Sequence, residues 1–254
     1  MSLRRPDIMA IARREGRVTV DGLVARLGVT PQTVRRDLAA LAEEGTLTRV
    51  HGGAVLATGS AAMAWADRRA LAAPAKAAIA AAAAARIGSG ASLFLDIGTT
   101  TEAVAEALIG RALSLVVTNN LNVARTLGDA EAEAPPIVLT GGRLRAADAA
   151  LVGEMAAEGA RRFRPDWAVL GCSALSADGA ILDHDLSEVG VARAVMGGAG
   201  RTMLVADAGK LARRAPVRIA SLADLDLWIT DVPPPPELAR LCRDAGTEVV
   251  VADA

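Results

Sequence analysis

Three consecutive threonines follow a glycine in FLDIGTTTEAVAEAL (94–108). An apolar run ends at Asp96, Gly98 makes the turn, and a helical pattern starts among Thr99, Thr100 and Thr101. Unpaired backbone N–H groups at a helix N-terminus attract anions, helped by the helix dipole. With the three hydroxyls they form a phosphate cradle. It is not a nucleotide-binding P-loop, because no Gly-Lys-Ser/Thr follows. A plain threonine helix cap is the competing reading of the same residues.

Four further segments end apolar runs with polar or flexible residues. VVTNNLNVA offers Thr118, Asn119 and Asn120, a cluster able to bond ligand hydroxyls. VLTGGRLR brings Gly141 and Gly142, where backbone can approach a ligand closely. VLGCSALSADGAILDHDLSEVGVARAV supplies Gly171, then Asp183, Asp185 and Glu188, and LVADAGKLAR ends at Asp207 with Lys210 just beyond. The carboxylates, Asp96 included, suit the hydroxyls of a polyol, and Lys210 suits a phosphate. An alternative is catalytic: Asp183 or Glu188 as base and Lys210 as electrostatic partner in an aldose–ketose phosphate isomerisation.

A second constellation lies near the N-terminus, in VTPQTVRRDLAAL (29–41). Thr30 is a good N-cap and Pro31 suits the first helical position. Val34, Leu38 and Leu41 fall on one helical face, so Gln32, Thr33, Arg35 and Arg36 turn away from the core. They occupy the first two turns, where a recognition helix meets base edges and phosphates. Exposed arginines are commonly only solvated, so the surrounding elements decide.

Those elements are consistent. RPDIMAIARREGRV reads as a helix with Pro6 early and Gly16 ending the run; VTVDGLVARLG reads as a second helix with Asp21 as its cap and Gly28 as its stop. Two helices, a short turn and the third helix make a helix-turn-helix. GTLTRVHGGAV then alternates around Leu47 and Val50 as a β-wing, with Arg49 and His51 toward a phosphate backbone. We expect a DNA-binding domain over 1–57, a linker over 58–75 and an effector domain over 76–254. In that last part KAAIAAAAAARIGSG reads as a helix ended by Gly88. Strands follow as ASLFLDI, LSLVVTN, PPIVLTG, DWAVLGC, RTMLVAD, LDLWITD and TEVVVAD, and helices as 100–109, 120–128, 150–162, 187–199 and 236–245. Near-continuous apolar strands joined by helices predict a mostly parallel sheet covered on both faces. Ligands bind at the carboxyl ends of such strands, which is where the five loops fall.

Composition narrows the function further. Residues 1–57 hold nine arginines against six acidic residues, a balance of +3, and the remainder carries -4 of the net -1. A basic arm on an acidic body fits a partner made of phosphate. Tyrosine is absent and phenylalanine occurs twice, so stacking platforms for single strands or RNA are not expected. No apolar run reaches membrane-spanning length, and the N-terminus lacks the apolar core of a secretion signal, so a cytoplasmic protein is expected. Cys172 and Cys242 read as two buried thiols. His51 and His184 are far apart, which leaves no metal site in view, and no cofactor is expected.

The stretch GRVTVDGLVARLGVTPQTVRRDLAALAEEGTLTRVHGGAV, with TVRRDL and RVHGGA as its most diagnostic parts, resembles the winged helix-turn-helix of DeoR-family repressors. DIGTTT, VVTNNLNVA, GGRLR, VGE and ITD resemble that family's effector domain, similar in fold to ribose-5-phosphate isomerase. AWADRRA, SADGAILDHDLSEV and TDVPPPP are similar to its glycerol-phosphate branch. The chain departs from the family at Ala208-Gly209-Lys210-Leu211, where His-Ser-Lys-Phe is common, and at Leu186-Ser187, where an aromatic is usual. The resemblance implies a repressor of double-stranded operator DNA, working as a homo-oligomer (dimer or tetramer) and released by a small phosphorylated polyol or sugar. Another sugar phosphate in place of the glycerol phosphate is the alternative within the family.

Overall fold

Residues 4–15, 17–44, 46–50, 52–56 and 65–253 are described by the structure, a computed structural model. The chain divides into two units, Met1–Ala73 and Pro74–Ala254. His51 and the stretch 57–64, which holds the start of the expected linker, lie outside the described residues.

The first unit runs α1 (Arg4–Glu15), β1 (Arg17–Thr19), α2 (Val20–Leu27), α3 (Pro31–Glu43), β2 (Leu47–Val50), β3 (Gly53–Leu56) and α4 (Trp65–Ala70). Ile8, Ala12, Leu23, Val34, Leu38 and Leu41 fill a core between the helices, closed below by Val18, Leu47 and Ala54. The strands form an antiparallel sheet in the order β1-β3-β2. Gly53 is required there: a Cβ would lie 1.9 Å from the Val18 carbonyl oxygen. The cap of α2 is a correction to the sequence reading. Thr19, not Asp21, holds the extended N-cap conformation and accepts from the Gly22 N–H at 3.1 Å. Strand β1 delivers Thr19 already extended, which leaves Asp21 inside the first turn.

The second unit begins within α5 (Ala73–Arg86) and continues through β4 (Ser92–Leu95), α6 (Thr99–Ala107), β5 (Leu115–Thr118), α7 (Leu121–Gly128), β6 (Ile137–Leu139), β7 (Arg143–Arg145), β8 (Ala150–Val152) and α8 (Glu154–Arg161). Then come β9 (Trp167–Leu170), β10 (Ala174–Leu175), β11 (Ala180–Asp183), α9 (Leu186–Met196), β12 (Arg201–Val205), a 3-10 turn (Ala208–Ala212), β13 (Val217–Ser221), β14 (Leu227–Thr230), α10 (Pro236–Ala245) and β15 (Glu248–Val251). All seven expected strands enter one parallel sheet, ordered β15-β14-β12-β9-β4-β5-β6. Alternation along each strand serves both faces. Leu93, Leu95, Val116, Val169 and Val205 pack with α5, α6 and α7. Phe94, Val117, Leu170, Leu204 and Trp228 pack with α8, α9 and α10. Among the described residues no helix is long and apolar enough to cross a membrane.

Two features differ from the sequence reading. The helix expected over 150–162 starts only at Glu154, because Ala150–Val152 pairs with Arg143–Arg145 as a hairpin and Gly153, at φ 96°, breaks the run. A small antiparallel sheet, β10-β11-β13, was not foreseen.

Candidate DNA interface and effector site

Helix α3 is held by its buried face and presents the other. Thr30 caps it, accepting from the Thr33 N–H at 3.3 Å, and the two hydroxyls lie 2.9 Å apart. Gln32, Arg35 and Arg36 are exposed and Thr33 is half-buried. Asp37, between them and the core, is buried and accepts from Arg4 at 3.3 Å, which braces α3 against α1. Arg49 is exposed on β2. A rigid helix with two adjacent free-facing arginines beside a β-wing is the geometry that enters a major groove.

In the second unit the sheet has one point where strand order reverses. From β4 it runs through β5 to β6 in one direction; from β9 it runs through β12 and β14 to β15 in the other. Connections leaving such a point go to opposite faces and open a crevice above the strand ends. The loops after β4 and β9 flank it. A Cβ on Gly171 would stand 3.5 Å from the Ile97 carbonyl, so the two loops lie against each other.

On the β4 side, Gly98 at φ 137° and ψ 150° occupies a region open to glycine and starts α6 without a side-chain cap. Thr101 spends its hydroxyl on the Gly98 carbonyl at 2.7 Å, Thr100 is buried, and Thr99 accepts from the Lys76 ammonium at 2.8 Å. No side-chain cap from Gly98 closes the first turn of α6. After β5, Thr118 and Asn120 have structural duties. The Thr118 hydroxyl donates to the Leu95 carbonyl at 2.6 Å; Asn120 caps α7 and donates to Glu102 at 3.2 Å. Asn119 differs: it is fully buried, and neither amide atom finds a hydrogen-bond partner among the described residues. Gly141 and Gly142 both take positive φ in the loop after β6.

The carboxyl groups meet on the other side. Asp183 accepts from Ser173 at 3.0 Å and from the His184 N–H at 2.6 Å. Glu188 is ion-paired with Arg145, whose guanidinium also reaches Asp148 at 2.7 Å and Asp185 at 3.0 Å. Burial pushes the Asp96 carboxyl up to about 7, and Asp183 adds to this; the Ile97 N–H and nearby Asn119 oppose it. Asn119 exerts that influence from outside hydrogen-bonding geometry. Burial and Asp183 also raise Glu188, against the pull of Arg145. Lys210 is half-buried. Burial and Arg213 lower its pKa, with Asp207, Cys172 and Asp183 opposing. Among the described residues no carboxylate reaches ion-pairing distance of that ammonium. Cys172, beside it, is pushed up to about 12 by burial, an inert thiol; Cys242 is also a buried free thiol.

The crevice thus joins a helix N-terminus and the Lys210 ammonium to the raised carboxyls of Asp96 and Glu188 and to an Asn119 amide unsatisfied among the described residues. That combination suits a small molecule anionic at one end and hydroxylated at the other. Residues 4–59 match the DeoR-like helix-turn-helix domain, and residues 72–232 match the DeoR C terminal sensor domain. The chain belongs to the DeoR family. It is 40% identical over 241 residues to the glycerol-3-phosphate regulon repressor of Escherichia coli (strain K12), spanning 95% of each chain. It is 43% identical over 233 residues to the repressor of the same name from Haemophilus influenzae, spanning 91% of this chain and 90% of that one. Ribose 5-phosphate isomerase A from Neisseria gonorrhoeae aligns with a TM-score of 0.38 at 13% identity, over 55% of this chain and 53% of the other.

Sequence reasoning missed three residues of this DeoR-family crevice. Lys76, alone among alanines near a helix start, carried a signal in its isolation. Arg145 stood in the quoted GGRLR, but two of its three carboxylate partners, Asp185 and Glu188, are some forty residues away. Ser173 gave no signal at all.

Proposed function

We propose that this protein is a transcriptional repressor of glycerol and glycerol 3-phosphate metabolism genes. Helix α3 and the wing engage double-stranded operator DNA, and glycerol 3-phosphate in the crevice weakens that binding. The observation that carries the effector assignment is the half-buried Lys210, whose ammonium has no ion-pair partner among the described residues, in the same crevice as the N-terminus of α6. A cation without a counter-charge beside a helix N-terminus favours an anion. Asp96, Asn119, Asp183 and Glu188 receive the hydroxyls, with Gly141, Gly142 and Gly171 letting backbone close in. Thr30, Gln32, Thr33, Arg35, Arg36, Arg49 and His51 form the DNA face.

The protein is not an enzyme on this reading. Glu188 is clamped by Arg145 and Asp183 by Ser173, so neither stands free as a base, and the relatives named above are repressors by name. The operating form is a homo-oligomer, whose paired heads read near-palindromic half-sites.

The test uses a DNA fragment selected by the purified chain from a random-sequence pool. Glycerol 3-phosphate should weaken binding to it by about 5–150-fold, the usual range of allosteric coupling. A panel of hexose, pentose and galactitol phosphates is run beside it. A response to one of those and none to glycerol 3-phosphate would move the effector elsewhere in the family.

A further inference from the structure

Lys76 is the fourth residue of α5, the helix in which the chain crosses from Ala73 to Pro74 between the two units. The buried face of that helix is otherwise apolar: Ile79, Ala80, Ala83 and Ala84 pack against the sheet with Leu93 and Val104. Lys76 shares this face and is 4% exposed, uncommon for a lysine. The reason for its position is topological. α5 leads into β4 through a short turn, so its first turn returns to the carboxyl end of β4, where the cradle begins. There the ammonium donates to the Thr99 hydroxyl, and Thr99 is the first residue of α6.

The contact sets the Lys76 ammonium, in the first turn of α5, beside the first residue of α6, whose N-terminus carries partial positive charge. A phosphate arriving at that N-terminus competes with the Thr99 hydroxyl for the ammonium. The remainder of α5 is fixed by apolar contacts that no ligand touches. Any response to occupancy is therefore concentrated in its first turn, the turn joined covalently to the DNA-binding unit.

We propose that Lys76 is the positioning residue that couples the crevice to the DNA-binding unit, its ammonium moving between Thr99 and the effector phosphate as the crevice empties and fills. This rests on the repressor reading above. The two are separated by one measurement cycle on the full chain. Affinity for the selected DNA fragment is measured by fluorescence anisotropy without and with glycerol 3-phosphate. Saturation is verified by the ligand-induced thermal shift. Lys76→Met should bind the DNA within about 2-fold of wild type without effector and still show the thermal shift at saturation. Its DNA affinity should then change by less than about 2-fold on adding effector, where wild type changes 5–150-fold. Lys76→Arg should recover part of the response. Thr99→Val, which removes the acceptor and keeps the ammonium, should reduce the response by the same route and stands in if Lys76→Met does not fold.

A wild-type response that persists in Lys76→Met at saturation overturns the coupling role alone. Complete loss of the thermal shift also overturns it, because Lys76 is then needed to bind the ligand at all and not to transmit its presence. A wild type with no response refutes the effector reading and the coupling together.

Discussion

Replacing Asn119 with leucine should make the empty protein more stable and deaf to its ligand. Asn119 is 0% exposed, and among the described residues neither its amide nitrogen nor its amide oxygen has a partner. A buried polar atom left unsatisfied costs about 1–3 kcal/mol, whereas an apolar group of the same shape is neutral or favourable. Leucine is close in shape, so Asn119→Leu should gain about 2 kcal/mol. For a unit of this size that is roughly 4–8 °C in Tm. The comparison belongs at pH 6, below the Asp96 pKa of about 7, so that losing the amide's help to the carboxylate scarcely enters. Differential scanning calorimetry of both proteins, with and without glycerol 3-phosphate, gives the two readouts. At 100 times its dissociation constant a ligand stabilises wild type by about 2.7 kcal/mol. Asn119→Leu should start higher and gain almost nothing. A variant that melts earlier than wild type, or keeps the full ligand shift, would show that the amide is satisfied internally and that the reasoning is wrong.

Four other perturbations probe separate parts. Arg36→Ala should lower the salt slope of log K by about 0.9 if the side chain holds a phosphate, or relax preference at one base pair by about 1–3 kcal/mol if it reads a base; binding isotherms across a salt series distinguish the two, and no effect on either removes Arg36 from the interface. Leu38→Ala, at a fully buried position of the first core, should cost about 2–5 kcal/mol and abolish DNA binding while the ligand shift of the second unit survives. Gly98→Ala forces a side chain to φ 137° and should cost about 1–3 kcal/mol together with effector affinity; a neutral result in a ligand titration would mean that the loop is not the cradle. Asp96 binds its proton more tightly folded than unfolded, since its pKa rises from 3.8 to about 7. Its cost to stability is absent below about pH 4, grows as pH rises toward 7 and is constant above. Asp96→Asn should therefore gain on wild type across that window in urea unfolding, and parallel pH profiles would contradict the shift.

The sequence carried the large sheet well because its signal is additive. Each of the seven parallel strands is apolar on both faces, and Gly or Pro marks the ends of most, so all seven could be placed individually. Helix α3 was as clear, with Thr30, Pro31 and the Val34-Leu38-Leu41 stripe agreeing. Features that depend on partners remote in sequence were not legible. Thr19 outcompetes Asp21 as a cap only because β1 pairs with β3. Ala150–Val152 becomes a strand only because Arg143–Arg145 lies across from it. The sequence points to the loops at the strand ends but does not rank their residues. Nothing in VVTNNLNVA says that Thr118 and Asn120 bond internally while Asn119 does not. The Arg145 cluster joins Asp148, three residues on, to Asp185 and Glu188 at the start of α9, a meeting that only the fold creates.

The reversal of strand order between β4 and β9 also sets the order in which this molecule can be built. During synthesis β4, β5 and β6 emerge first and can pair, but the other side of β4 stays bare until Trp167–Leu170 arrives. From there the sheet grows outward strand by strand, ending with β15. The DNA-binding unit, with all its core residues before position 57, can be complete well before this closure. Chains cut short between the two events would keep the head and lack the crevice, so a nonsense mutation in the middle of the gene should act differently from one near its start. Early truncation removes the repressor, whereas later truncation leaves a fragment that no effector can dislodge.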